Sequence, residues 1–237
     1  MRVPTWQEKV IGVFYPSTCY CCGDLVNWGG HLCSVCEESL RYYRIKGVKK
    51  VSRNGLKCSV RACYYYQEAA QLAIRRFKFG RKIRPGKFMG EAVADRVKTA
   101  PTVQPDVVTY IPVAYGDHPT RGYNTAEVIA ESAARHLGIP VKPLLRKALL
   151  TRSQHSLSAS SRKQNVENAY VARGSVKGRS ILLVDDVVTT GSTLAECVRV
   201  LLNAGAKAVW PIAYAAAGGQ PRVDRDEKAE YNETSDQ

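Results

Sequence analysis

An α/β domain with a mainly parallel, Rossmann-like sheet, preceded by a small four-cysteine module, is the architecture that the sequence predicts. Three observations predict it. Short aliphatic runs alternate with helix-periodic stretches from residue 57 onward, the pattern of a sheet covered on both faces. Two Cys-x-x-Cys pairs, Cys19/Cys22 and Cys33/Cys36, crowd a segment too small to hold a core of its own. The run 181–184 leads straight into Asp185, Asp186 and a hydroxyl-rich turn, and open α/β sheets bind ligands at that end of their strands.

In chain order, residues 1–50 read as an irregular cysteine module. Residues 57–66 read as a strand, with Cys58, Val60, Ala62, Tyr64 and Tyr66 on one face and Arg61 and Cys63 on the other. Residues 68–79 read as a helix carrying Leu72, Arg76 and Phe79. A basic loop, "RKIRPGK", leads to a second helix over 86–98, which "APTVQP" breaks. Residues 106–113 are a buried strand, and "AYGDHPTRGY" is a polar turn. The stripe Ala126, Ile129, Ala130, Ala133 and Leu137 marks a helix over 124–137, stopped by Gly138.

"IPVKP" reads as a short strand. Residues 146–165 are polar, serine-rich and without periodicity, as expected of a long functional loop. "AYVA" is a second short strand, and 181–184 a buried one. Leu194, Cys197, Val198, Leu201 and Leu202 stripe the last helix, and "GAKAVWPIAYAAA" supplies the last strand. The expected division is a cysteine module over 1–50, an α/β domain over 51–218 and an acidic tail over 219–237, expected to be disordered.

The net charge is +14, and the tail from residue 220 carries six acids against three bases, leaving about +17 on the rest. Such a body favours phosphate esters, pyrophosphate or nucleic acid over acidic partners. No apolar run approaches the ~18 residues of a membrane span. The first residues lack a continuous apolar core and a cleavage site, so no signal peptide is read and the cytoplasm is the expected compartment.

Pairs of cysteines at this spacing can place four thiolates on one tetrahedral ion, so Cys19, Cys22, Cys33 and Cys36 are the candidate ligands of one structural zinc. Gly23 suits the tight turn after the first pair. Cys21 could replace a neighbour, and His31 could replace Cys33. Cys58, Cys63 and Cys197 sit inside strand or helix patterns and read as small core residues.

At the other end, Asp185 and Asp186 should leave the strand side by side. Thr189, Thr190, Gly191, Ser192 and Thr193 should wrap the start of the next helix, where amides, hydroxyls and the helix dipole favour a phosphate monoester. The turn holds no lysine, and no Walker A loop is present, so a nucleoside triphosphate is not the expected ligand. Two carboxylates beside a phosphate cradle fit a ribose 5-phosphate.

"ILLVDDVVTTGST" resembles the phosphoribosyl pyrophosphate (PRPP) signature of type I phosphoribosyltransferases. With the cysteine pairs, "RRFKF", "PV…RGYN" and "TRSQHSLSASSRKQNVENAY", the chain resembles the ComF/ComFC family, GntX-type proteins included, over roughly residues 17–215. That resemblance implies a type I phosphoribosyltransferase fold behind a zinc ribbon. It implies that Asp185 and Asp186 bind ribose hydroxyls and that Thr189 to Thr193 bind the 5-phosphate. The turn ending in Arg121 and Gly122 would then hold pyrophosphate. Residues 146–165 would be a flap contacting the ligand through Gln154 and Arg162, with His155 at its surface. Lys78 would be a further anion contact.

Two functions follow. One is a PRPP-binding protein of natural competence that handles incoming single-stranded DNA, with partners among the competence machinery such as a ComFA-like helicase. The other is an active PRPP- and Mg²⁺-dependent phosphoribosyltransferase of unknown acceptor, with Asp185, Asp186, Arg121 and Arg162 as the catalytic candidates.

Overall fold

The computed structural model describes residues 17–27, 29–53, 55–80, 83–113, 122–148 and 169–219. Within them run α1 (Ser34–Tyr42), β1 (Val48–Arg53), β2 (Leu56–Tyr65), α2 (Glu68–Phe79) and α3 (Arg84–Lys98). Next come β3 (Val107–Tyr110), α4 (Thr125–Leu137), β4 (Leu145–Lys147) and β5 (Tyr170–Ala172). β6 (Ser180–Val188), α5 (Ser192–Asn203) and β7 (Ala208–Ala216) complete the set.

The main sheet has the order β1-β2-β7-β6-β3. Its three pairings apart from the β1–β2 hairpin are parallel: β2 with β7, β7 with β6, and β6 with β3. Alternation along each strand divides the apolar residues between two cores. Leu182, Val184, Ile212 and Tyr214 face Phe77, Met89 and Ile129 of α2, α3 and α4. Ile181, Leu183 and Ala213 share the other core with Val51, Val60 and the α5 stripe Leu194, Val198 and Leu201. This is the doubly covered α/β sheet expected from the sequence.

The predicted helices form close to their expected bounds because their signals are local. Asn124 caps α4 by accepting from the Ala126 amide (2.9 Å), and Gly138 closes it at φ +69°. The differences lie where pairing decides. Residues 34–42 are helical, and Val48–Arg53 forms an antiparallel hairpin with β2 that joins the main sheet across residue 50. "IPVKP" is not a strand: Val141 makes a single bridge to Val108. Arg146, expected to open the flap, instead pairs with Val171 between β4 and β5, and the flap residues from 149 on lie outside the described residues. β6 does not stop at Val184. It stays paired with β7 through Val188, carrying both acids inside the strand.

The cysteine segment is not a separate bead. Cys19, Cys21, Cys36 and Leu40 are buried in the same core as Cys63, Tyr64, Phe77 and Tyr214.

Candidate functional site

Four sulfurs converge at the N-terminal end. The Sγ atoms of Cys19, Cys22, Cys33 and Cys36 all lie within 4.8 Å of one another, and Cys22 and Cys33 are 3.6 Å apart. Zn–S bonds of ~2.3 Å in a tetrahedron place sulfurs roughly 3.8 Å apart, so the set fits zinc. Burial pushes the Cys19 thiol up, but amides of Cys33, Cys22 and Cys21 directed at its sulfur outweigh this and bring it to about 6. A thiol so poised is ready to ligate as thiolate.

The alternatives resolve by placement. His31 stacks on Tyr20, with ring centroids 5.0 Å apart. Cys21 is fully buried in the core beside the quartet. Cys58 and Cys63 lie five residues apart on β2, hence on opposite faces, and the Cys63 thiol donates to the Ala92 carbonyl (3.5 Å). Gly23, at φ +94°, leaves the space that the Arg76 guanidinium occupies: a Cβ there would meet Nη1 at 1.9 Å. Arg76 uses this approach to donate to the Cys22 carbonyl (3.1 Å).

The second site lies at the carboxyl end of the central strands. β3 ends at Tyr110, opposite Val184, whereas β6 continues for four more residues. Among the described residues, no strand pairs with β6 on its β3 side beyond Val184. The two acids, being in-strand neighbours, point to opposite faces. Asp186 turns toward α2 and α4. It is 8% exposed, accepts from Lys78 Nζ at 2.9 Å and accepts from the Thr125 hydroxyl. Asp185 turns toward α5, and its Oδ1 accepts from the Asp186 amide at 2.8 Å. Burial, and then the negative charge of Asp186, push the Asp185 carboxyl up to about 8, against the opposing pull of that amide and of Lys78.

Beyond the acids, Thr189 and Thr190 are exposed and the chain turns at Gly191, which caps α5 at φ +81°. Gly191 also lies against Val51 of β1, which a Cβ would meet at 2.5 Å. The Thr190 and Ser192 hydroxyls are 2.9 Å apart, and the Ser192 amide donates to Thr190 Oγ1 at 3.3 Å. Helix geometry leaves the first-turn amides of α5, those of Thr193 and Leu194 included, without intrahelical acceptors. Lys49 of β1 donates through Nζ to the carbonyls of Thr189 and of Ala217, the latter at 3.0 Å.

Gly122, exposed at φ +73°, opens a segment bound closely to this site. Tyr123 stacks on Phe77 and donates to its carbonyl, Asn124 donates to the Ile111 carbonyl (2.9 Å), and Thr125 reaches Asp186. Arg121, Gln154, His155 and Arg162 lie outside the described residues, as does the acidic tail. Of the sequence candidates, Lys78 meets Asp186, while Asp185 and the turn from Thr189 to Thr193 follow along the same strand end. Sequence reasoning missed Thr125 and Lys49. Thr125 follows a visible N-cap signal, Asn124 with Glu127 three residues on, but Glu127 accepts from Tyr110 (2.6 Å) instead of closing a capping box. Lys49 lies 140 residues from its partner Thr189, and no local signal marks it.

The phosphoribosyl transferase domain model matches residues 124–235. The chain is 30% identical over 193 residues to Competence protein F of Haemophilus influenzae, covering 77% of this chain and 84% of that protein. It is 28% identical over 217 residues to the DNA utilization protein YhgH of Salmonella typhimurium, covering 82% and 94%. It is 27% identical over 211 residues to Competence protein ComFC of Bacillus subtilis, covering 85% and 84%.

Proposed function

The chain belongs to the ComF/ComFC family of phosphoribosyltransferase-fold proteins, and we propose that it binds PRPP and handles single-stranded DNA during natural competence, in the cytoplasm. The observation that carries the ligand reading is the pairing of the Asp185/Asp186 strand end with the hydroxyl turn at the start of α5. The ribose hydroxyls would meet the acids at the end of β6, and the 5-phosphate would then fall to the Thr189–Thr193 segment. Lys78, the further anion contact of this reading, also pairs with the Asp186 carboxylate at 2.9 Å. Arg121 with Gly122 would hold pyrophosphate, and Gln154 and Arg162 would close over it.

Mg²⁺ would bind the pyrophosphate and the ribose hydroxyls, with the carboxylates helping to place it, and would neutralise charge on the pyrophosphate. Zinc on the four cysteines would be structural. We divide the chain into the cysteine module (1–50), the phosphoribosyltransferase-like domain (51–218) and the tail (219–237). Titration calorimetry tests the ligand reading: PRPP with Mg²⁺ should bind the wild type and not Asp186→Asn. Absence of heat with the wild type at millimolar PRPP would end it.

The DNA reading is supported by the outer face of the β1–β2 hairpin. Lys50, Ser52, Lys57, Ser59 and Arg61 share that face and it carries no acid. Arg61 is held beside Arg96: burial and then this like charge draw its guanidinium below its ordinary value. Such a surface suits a phosphate backbone, with a ComFA-like helicase as a further partner. Fluorescence anisotropy with oligothymidine should show affinity falling steeply with salt. Replacing Lys50, Lys57 and Arg61 with alanine should reduce the salt slope by roughly one per lost contact. A slope unchanged by the triple variant removes the hairpin from the interface, and no binding by the wild type near physiological salt removes the DNA role.

Turnover is the second reading: an acceptor would displace pyrophosphate at C1, with the site positioning the reactants and stabilising charge on the leaving group. Pyrophosphate release with a panel of acceptors tests it, and silence across the panel leaves the binding protein.

A further inference from the structure

We propose that Lys49 is the positioning cation of the phosphate turn, the lysine that the turn itself lacks. This inference rests on the PRPP reading and deepens it: the class of ligand group concerned is a phosphate monoester. Lys49 and Val51 are two residues apart on β1 and therefore share a face. Both are directed at the same target. Val51 closes on Gly191, where the chain turns into α5, and Lys49 Nζ donates to the carbonyl of Thr189, which opens the turn.

The same ammonium donates to the Ala217 carbonyl at 3.0 Å, just past the end of β7. It thereby ties the ends of β6 and β7 to each other. An edge strand from the far side of the sheet thus braces the two ends of the anion-binding segment. Three properties make this more than a surface contact. The bond pattern fixes Thr189, so the exposed hydroxyls and first-turn amides that follow it are held in one arrangement before a ligand arrives. Carbonyl dipoles at the rim of an anion site repel phosphate, and an ammonium seated on two of them reverses that field. An ammonium has three donors, and the carbonyls engage two.

The third donor and the charge are then available to a phosphate oxygen. A P-loop places its lysine within the loop; here it comes from an antiparallel strand 140 residues away in sequence. Lys49 acts on the phosphate end and has no part in holding pyrophosphate, which is assigned to the segment ending at Gly122.

The test compares ribose 5-phosphate and Mg²⁺-pyrophosphate by titration calorimetry on the wild type, Lys49→Met, Lys49→Gln and Lys49→Arg, with melting temperatures alongside. Lys49→Met should weaken ribose 5-phosphate about tenfold or more, the scale of one charge-assisted hydrogen bond, and leave pyrophosphate within about twofold. Lys49→Arg should recover most of the loss. Lys49→Gln keeps a donor for the carbonyls without the charge. If the methionine variant does not fold, the same selective loss is expected of glutamine. Unchanged ribose 5-phosphate affinity, or equal weakening of both ligands, overturns the role of Lys49 while leaving the PRPP reading intact. A wild type that binds neither ligand overturns both.

Discussion

The fold strongly alters the chemistry of Asp185. Its ordinary value of 3.8 is pushed up to about 8 by burial and by the adjacent Asp186 charge. Between those values the folded protein holds a proton that the unfolded chain has released. The resulting stability is full below about pH 4 and is lost as pH rises through about 8. Asp185→Asn removes a carboxylate that folding disfavours, so the variant should melt higher than the wild type at pH 8.5, by about 2 °C or more. At pH 4 the two should coincide. The same variant should lose PRPP, because the ionised carboxylate is the form that accepts from sugar hydroxyls. Wild-type affinity should accordingly rise from pH 6.5 to 8.5. Scanning calorimetry and titrations across this range check both statements, and an asparagine variant that melts lower at pH 8.5 contradicts the assignment.

At the scale of elements, the β1–β2 hairpin is the part that most changes the picture. Gly191 needs its left-handed φ and also the absence of a Cβ against Val51. Gly191→Ala should destabilise the fold by about 1–3 kcal/mol, from the backbone penalty plus overpacking. Val51→Ala in the same chain should relieve the packing part alone, so the two changes should be non-additive in denaturant unfolding. Additive losses would mean that Val51 does not press on the turn.

The same hairpin marks the limit of what the sequence reveals. Helices α2 and α4 are legible because periodicity, Asn124 and Gly138 are local signals. The acid pair and the turn are legible as a contiguous pattern. The bracing of that turn by Lys49 and Val51 is not, because strand pairing brings it from 140 residues away. Asp185 and Asp186 read as twin groups in sequence, yet they separate onto opposite faces because β7 keeps β6 extended to Val188. An Asn54-Gly55 dipeptide between two β-prone runs was the one available sign of the hairpin.

Across the whole molecule, the cysteine cluster and the ligand site are joined by one helix. Arg76 of α2 donates to the Cys22 carbonyl, and two residues later Lys78 holds Asp186. The cysteines also share the core that packs against Phe77 and Tyr214. Zinc should therefore bind at one equivalent per chain, and its removal should weaken the fold as a unit. Scanning calorimetry of the chelated protein should show one transition moved down in temperature. A second, independent low-temperature transition with the main one unmoved would show that the module folds alone.

The strand end at Asp185 and Asp186 and the turn after it would together form the proposed PRPP site. Titration calorimetry of PRPP with Mg²⁺ against the zinc-loaded wild type and the Asp185→Asn/Asp186→Asn variant tests it most directly. One site per chain is expected in the wild type, and at least about a hundredfold weaker binding in the variant, from the loss of two charged acceptors. Equal affinity in the two proteins, or no binding by the wild type, would contradict it.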